Sequence, residues 1–389
     1  VANFLLWLKA ITRILCFTAL TSLCTQAVKD GGMLSRWILS LFSLIVVAPT
    51  FATASCPAPS TVNHSGGHLR LLEFKDGSIA MRIPLEVNSD GAQASYAQGN
   101  HGFSYLGDGM VLWKGNGASE SCTAAGNRCS EYFAEADRLH FGRASKQFCV
   151  FAFAVDGLHG AEPVACKSGG IEGYIVGGGL GAPRQGPTLA TVEGISLVPY
   201  ISLTSLMLRD DQQRARSLDA AIVPFIVAPR VARNRLGQVA SLQFNGREVL
   251  AVVGDIGPRF GEASIAAHQL LRYGALKQQL PGPISLAQRC TAIEAGLLPP
   301  FLSRPDLKQD SCEQTRNRPR GAADIRIRAA IEEKVEVIIL SDARLKQEQP
   351  PYGALLEAVS QENLQRAVDQ RHTGMSVAEM RQCLKSSGL

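Results

Sequence analysis

The chain has 389 residues, 46% of them hydrophobic and 19% charged, the balance of a protein that buries a core, which excludes a disordered or low-complexity chain. Lys and Arg outnumber Asp and Glu by 39 to 34, and most of that excess lies in residues 1–54, where Lys9, Arg13, Lys29 and Arg36 face only Asp30. The remainder is close to neutral, too weakly basic for a polyanion partner, so no nucleic-acid binding is expected. No internal period is present either, which excludes a solenoid or propeller.

Residues 1–54 read as a leader. Phe4 to Leu23 is apolar but broken by Lys9 and Arg13. A better pattern follows: Met33-Leu-Ser-Arg36 is a basic start, Trp37 to Val47 an apolar core, and Ala52-Thr-Ala54 a small-residue cleavage site, the three parts of a secretory signal peptide. The apolar core is shorter than the roughly 20 residues that span a bilayer, so a cleaved signal from Met33 is expected rather than a lasting membrane span. The mature protein is then secreted or periplasmic and begins near Ser55.

Ten cysteines occur, and eight remain once Cys16 and Cys24 leave with the leader. An even number in an exported chain reads as disulfides. Short separations favour Cys122 with Cys129, Cys149 with Cys166 and Cys290 with Cys312, leaving Cys56 for Cys383. No Cys-x-x-Cys or His-x-x-x-His pair offers metal-ligand spacing, so neither metal nor cofactor is expected.

From residue 65 to 260 the chain reads as β structure. Asp76-Gly77, Asp90-Gly91, Asp108-Gly109, Asn116-Gly117, Asp156-Gly157 and Asn245-Gly246 supply the positive φ angles that tight hairpins need. Between them lie short runs: Ile79 to Ile83, Met110 to Trp113, Phe148 to Ala154, Tyr174 to Val176, Ile222 to Val227 and Val249 to Val253. Most are apolar on both faces, which points to a closed barrel or a covered sheet. The first long helix is expected to start at Glu262 and end before Gly274, with another inside Pro281 to Leu298. An Arg-rich loop (Arg316, Arg318, Arg320) reads as solvated. Val335 to Leu340 is a buried strand, Leu355 to Val368 an amphipathic helix, and Ser376 with Glu379 a capping box for a last helix. The fold class is mainly β with flanking helices: a compact closed β-barrel over residues 55–345 and a helical extension over 346–389.

Few motifs carry chemistry. Gly177-Gly-Gly-Leu-Gly181 is followed by Ala182-Pro183 and Gly186-Pro187, so no helix starts there and the glycines read as a turn, not a phosphate loop. There is no Gly-x-Ser-x-Gly elbow. His268 sits within a helix pattern and reads as structural. One constellation stands out. Arg247 to Asp255 is a strand ending in a carboxylate, Ile256-Gly-Pro-Arg-Phe-Gly261 is a tight turn, and Glu262 follows. A turn that folds the chain back lets both carboxylates border one cleft, as glycosidic cleavage requires of its acid and base. The residues alone favour a structural use, with Glu262 at a helix start and Asp255 bonding to turn amides.

The segment Ala251-Val-Val-Gly-Asp-Ile-Gly-Pro-Arg-Phe-Gly-Glu-Ala-Ser-Ile265 resembles the Gly-Asp…Gly-Glu-x-Ser-Ile block of glycoside hydrolase family 75, the fungal-type chitosanases and their bacterial relatives. Other blocks agree in order: Phe74 to Gly77, Asp90-Gly91 leading to Ala94-Ser-Tyr96, His101 to Leu106, Pro199 to Leu206, and Val223 to Val227. The resemblance implies a barrel related to double-psi barrels. It also implies endo-cleavage of the β-1,4 bonds of chitosan or a related amino-sugar polysaccharide, with inversion and without metal. The family's catalytic acids fall on Asp255 and Glu262, and Asp90, Tyr96, Thr204 and Ser264 within the matching blocks are expected to contact the sugar. The turn between the two acids is shorter than in fungal members, and Asn88 stands where the family often has an acid. Which of the two carboxylates is acid and which is base stays open. Alternative readings are a peptidoglycan glycan-strand hydrolase and a polysaccharide-binding barrel without turnover.

Overall fold

A computed structural model describes residues 55–64, 67–92, 96–97, 109–115, 117–121, 129–169, 171–188, 190–192, 195–210, 212, 214–276, 331–345, 355–372 and 374–389. The leader, the expected helix in Pro281 to Leu298, the Arg-rich loop, and Cys122, Cys290 and Cys312 lie outside the described residues.

The strands that place the site are β1 (Pro59–His64), β2 (Gly67–Glu73), β3 (Ile79–Asn88), β4 (Met110–Gly115), β5 (Ala118–Ser121), β6 (Gln147–Val150), β7 (Ala165–Ser168), β8 (Ile171–Val176), β9 (Phe225–Pro229), β10 (Gln238–Phe244), β11 (Arg247–Gly257), β12 (Glu262–Ser264) and β13 (Ile331–Arg344). Six of them close a barrel in the order β3-β12-β9-β11-β10-β13, with β13 returning to β3. Four pairings are antiparallel; β9–β11 and β12–β3 are parallel. The β1–β2 hairpin extends the sheet from β3. A second sheet runs β5-β4-β6-β8-β7.

Two-sided apolar strands account for this closure. Along β11, Val249, Ala251 and Val253 enter one apolar cluster and Leu250 and Val252 another, and Met81 and Ala80 of β3 divide in the same way. Such strands need cover on both faces, and a barrel wrapped by further elements gives it without leaving an edge. Asn245 (φ 47°) and Gly246 (φ 78°) form the two-residue turn of the β10–β11 hairpin, both in the left-handed region that this turn demands. Gly177, Gly178 and Gly179 all have positive φ and form a turn.

Several expected boundaries move. The run from Ile222 becomes a strand only at Phe225, beyond Pro224, which has no N–H to give a ladder. Phe148 to Ala154 is strand only to Val150. Glu262 opens no helix: it is the first residue of β12, and helix α2 (Ile265–Tyr273; α1 precedes it in the chain) is capped by Ser264, whose hydroxyl accepts from the Ala267 amide at 3.2 Å. Helix α1 (Cys129–Arg138) was not anticipated. It seats Phe133 among the rings of Phe141, Phe148, Phe153 and Tyr200, all edge-on at 5.2 to 5.9 Å between centroids. The expected helix from Leu355 is two pieces, Leu355–Ala358 and α3 (Gln361–Asp369), because Ser360 caps the second piece at Asn363.

The C-terminal helices share a core with the barrel. Leu364 of α3 and Met380, Cys383 and Leu384 of α4 (Val377–Ser386) pack with Val252 and Ile338. Gln361 bonds both backbone groups of Leu250, accepting from N at 2.9 Å and donating to O at 2.6 Å. Helix α4 carries the Ser376–Glu379 capping box and is tied to the segment before β1 by a Cys56–Cys383 disulfide; Cys149 is bonded to Cys166, and Cys129 is also disulfide-bonded. Such bonds suit an extracellular or periplasmic protein. No helix among the described residues is long and apolar enough to cross a membrane.

Arg371 clasps this arrangement, donating to Asp76 at 2.7 Å and Asp342 at 2.6 Å, with the Arg371 and Asp76 side chains each only 7% exposed. Removing one partner of a buried ion pair leaves the other charge stranded. Arg371→Leu is therefore expected to cost about 3 kcal/mol in urea unfolding, whereas Arg366→Ala, at an exposed pair with Glu362, should stay within about 0.5 kcal/mol.

Candidate active site

Three strand ends of the barrel converge. Asp255 lies near the C-terminal end of β11, Glu262 begins β12, and Asn88 ends β3 with Asp90 in the turn beyond it. The pairing of β12 with β3 sets Glu262 opposite Glu86 and Ser264 opposite Asn88. The turn Ile256–Gly261 reverses the chain between the two acids. Gly261 adopts φ 116°, a conformation suited to glycine, and its carbonyl accepts from the Glu86 amide at 2.7 Å.

Asp255 is buried. Its Oδ1 accepts from the Ser205 amide at 2.9 Å, the Ser205 hydroxyl at 2.6 Å and the Ile256 amide at 2.8 Å. Burial pushes this carboxyl above its usual range, and those donors oppose the shift. Glu262 is half-buried, and its pKa is pushed up to about 7, chiefly by desolvation. The Glu86 and Asp255 charges push it further the same way, while the Asn88 hydrogen bond and Arg259 oppose them. Arg259 is itself engaged by Glu86 at 2.6 Å. A carboxyl that keeps its proton to near neutrality can serve as a general acid.

Asn88 joins these groups. Its Nδ2 lies 3.2 Å from Glu262 Oε2 and 3.4 Å from Asp90 Oδ2, and its Oδ1 accepts from the Asp90 amide at 3.0 Å. Asn88 thus links Glu262 to Asp90, and the Asp255 charge is close enough to be felt at Glu262.

The other expected sugar contacts divide. Ser264 is fully buried, and its hydroxyl accepts from the Phe225 and Ala267 amides, so it braces β9 and α2. Thr204 is buried too; its hydroxyl donates to the Leu206 carbonyl at 2.9 Å and accepts from the Leu218 amide at 2.9 Å. In both, the hydroxyl is hydrogen-bonded within the scaffold. The backbone of Tyr96 pairs with Tyr200 in a two-residue ladder. Asp76 is part of the Arg371 clasp rather than a plain hairpin residue. His268 is structural, its ring nitrogens 2.9 Å from the Ser264 carbonyl and 3.0 Å from the Leu85 carbonyl.

Sequence reasoning missed Ser205, which holds Asp255, and treated Asn88 only as a departure from a pattern. The Asn88-Ser-Asp90 spacing carried a signal, since an Asn side chain accepting from the amide two residues on is a standard turn device. Among the described residues no cluster of His, Cys, Asp and Glu has metal-binding geometry. No protein-family model matches the chain, and no curated protein matches it.

The Glu262 shift has a consequence for stability. Its folded pKa of about 7 lies above the ordinary 4.5, so its contribution is fully present below about pH 4.5 and is lost as pH rises through 7. Glu262→Gln cannot ionise and escapes that loss. Its melting temperature should exceed the parent's by on the order of 5 °C at pH 8 and by little at pH 5, as differential scanning calorimetry would show.

Proposed function

We propose that this protein is an exported glycoside hydrolase that cleaves β-1,4 bonds in chitosan or a related amino-sugar polysaccharide by inversion, with Glu262 as general acid and Asp255 as general base. The observation that carries the reading is the convergence, at one end of the barrel, of a carboxyl held protonated to about pH 7 with a second carboxyl whose Oδ1 faces three donors. One of the two acids of an inverting enzyme must give a proton to the leaving oxygen, and the other must take one from water. Raised Glu262 suits the first task. Asp255 suits the second, because donors aimed at one of its oxygens favour the ionised form despite burial.

Three further observations support the reading. The block from Ala251 to Ile265 resembles the core of family 75 chitosanases, and its two acids are the ones at this site. Asp90, Asp255, Glu262 and Glu86 make the surroundings acidic, which suits a polycationic amino sugar. Disulfides and the signal-like segment from Met33 to Ala54 fit an exported enzyme.

Chitosan, chitin and peptidoglycan offered in parallel test the substrate class, with chitosan expected to be cut fastest. Asp255→Asn and Glu262→Gln should each lower turnover at least about a hundredfold while the protein still unfolds cooperatively. Glu172→Gln, on the exposed side of the second sheet, should leave it unchanged. Because Glu262 must be protonated to act, kcat/KM should fall as pH rises through about 7. Proton NMR of the first-formed product should show the α-anomer. Near-normal cleavage by both carboxyl variants, on every glycan the parent attacks, would overturn the assignment.

A further inference from the structure

We propose that Ser205 is a positioning residue for the reaction proposed above: its hydroxyl, set between the Ile256 amide and Asp255 Oδ1, holds the carboxylate of the general base. This deepens the hydrolase reading, on which it rests for the role of Asp255.

The hydrogen-bond directions around Asp255 Oδ1 are forced. Two backbone amides reach this oxygen, Ser205 N at 2.9 Å and Ile256 N at 2.8 Å, and an amide N–H can only donate. Oδ1 is therefore an acceptor and carries no hydrogen of its own. The Ser205 hydroxyl lies 2.6 Å from the same oxygen, so it too donates. Its own oxygen accepts from the Ile256 amide at 3.2 Å. One hydroxyl thus takes a hydrogen from the residue after Asp255 and gives one to Asp255 itself. A contact of 2.6 Å is in the range of an O–H bonded to a charged oxygen, a stronger bond than one between neutral groups. Asp255 is buried, and burial favours its protonated form. A base has to be ionised when water arrives, and the donors on Oδ1 oppose the effect of burial.

The loop that carries Ser205 is fastened on both sides of it. The Thr204 amide donates to Ser217 Oγ at 3.2 Å, and the Thr204 hydroxyl bonds Leu206 O and Leu218 N, both at 2.9 Å. The Leu206 amide donates at 2.9 Å to the carbonyl of Gly254, the residue before Asp255. Thr204 and Leu206 are buried, while Ser205 between them is exposed. These anchors hold one exposed hydroxyl against the strand end that bears the base. A hydroxyl serving the loop alone would bond within it, as that of Thr204 does.

The titratable groups that bear on Asp255 are Glu262 on β12 and Asp90 in the turn beyond β3, and Glu86 and Arg259 face Glu262 in turn. All four remain when Ser205 is replaced, so a shift at Asp255 reads the hydroxyl. Carbon-13 carboxyl NMR of aspartate-labelled protein follows Asp255, whose signal is the one lost in Asp255→Asn, and needs no turnover. Ser205→Ala should raise the Asp255 midpoint by about 1 pH unit, the scale of one hydrogen bond to a charged group. Ser205→Thr, which keeps the hydroxyl, should restore the parent's midpoint. Ser205→Val, with the shape of threonine and no hydroxyl, should match Ser205→Ala, and it decides alone should Ser205→Ala not fold. On chitosan, the acid limb of kcat/KM reports ionisation of the base, so it should move up by the same amount in Ser205→Ala and Ser205→Val. The limb near pH 7, set by Glu262, should stay in place. An Asp255 midpoint that is unmoved in Ser205→Ala, or moved as far in Ser205→Thr as in Ser205→Val, overturns the proposal. So does a raised KM with both limbs in place, which would mark Ser205 as a sugar contact. If the parent cleaves no glycan, the hydrolase reading fails, while the NMR midpoints still decide whether the hydroxyl holds the Asp255 carboxylate.

Discussion

A strand of three residues closes the barrel. β12 runs parallel to β3 on one side and meets β9 on the other, and without it the sheet would end in two open edges. So short an element cannot hold itself in place by ladder bonds alone. Its neighbours supply the rest: the Gly261 carbonyl takes the Glu86 amide, the Ser264 hydroxyl takes the amides of Phe225 and Ala267, and His268 lies between the Leu85 and Ser264 carbonyls. Seam and site are the same place. Glu262 is the first residue of β12, so the bonds that close the barrel also fix its carboxyl against Asn88.

That arrangement has an energetic cost that the rest of the molecule must offset. Burial raises both Asp255 and Glu262, and the nearby cation, Arg259, is partly drawn away by Glu86. A group of carboxyls in partial desolvation destabilises the folded state wherever it is ionised. Opposing it are two apolar clusters formed by alternate residues of the same strands, the Arg371 clasp and the Cys56–Cys383 disulfide. These stabilising features lie in the scaffold around the acids, so packing elsewhere sustains the unfavourable electrostatics stored among them.

How much of this could be read beforehand differs by level. Two-sided apolar runs such as Val249 to Val253 announce a covered or closed sheet, and the Asn245-Gly246 pair announces its hairpin, because both signals are local and have a single physical cause. The helix start near Glu262 misleads by three residues: an acid before an apolar run looks like a first helical turn, yet the helix begins at Ile265 and the capping hydroxyl belongs to Ser264. The loop from Pro199 to Leu206 misleads further. Thr204 and Ser205 are adjacent polar residues of similar type, and only tertiary packing sends one hydroxyl inward to Leu218 and the other to Asp255. Helix α1 was missed because its apolar face is made by a few residues, Cys129, Phe133 and Ala136, whose partners are distant in sequence.

Asn88 shows how a departure from a family pattern can acquire a meaning that sequence does not carry. Taken alone, an amide in place of an acid suggests weaker attraction for a cationic sugar. At its actual position the side chain lies between Glu262 and Asp90, with one nitrogen facing an oxygen of each. A carboxylate there could donate to neither and would add a further negative charge beside Glu262, whose own ionisation burial already disfavours. The amide lowers that repulsion and supplies a hydrogen to each neighbour, while its own oxygen fixes the turn that carries Asp90. Glu262 and Asp90 can therefore both be held within reach of one side chain because the residue between them is an amide and not a further acid.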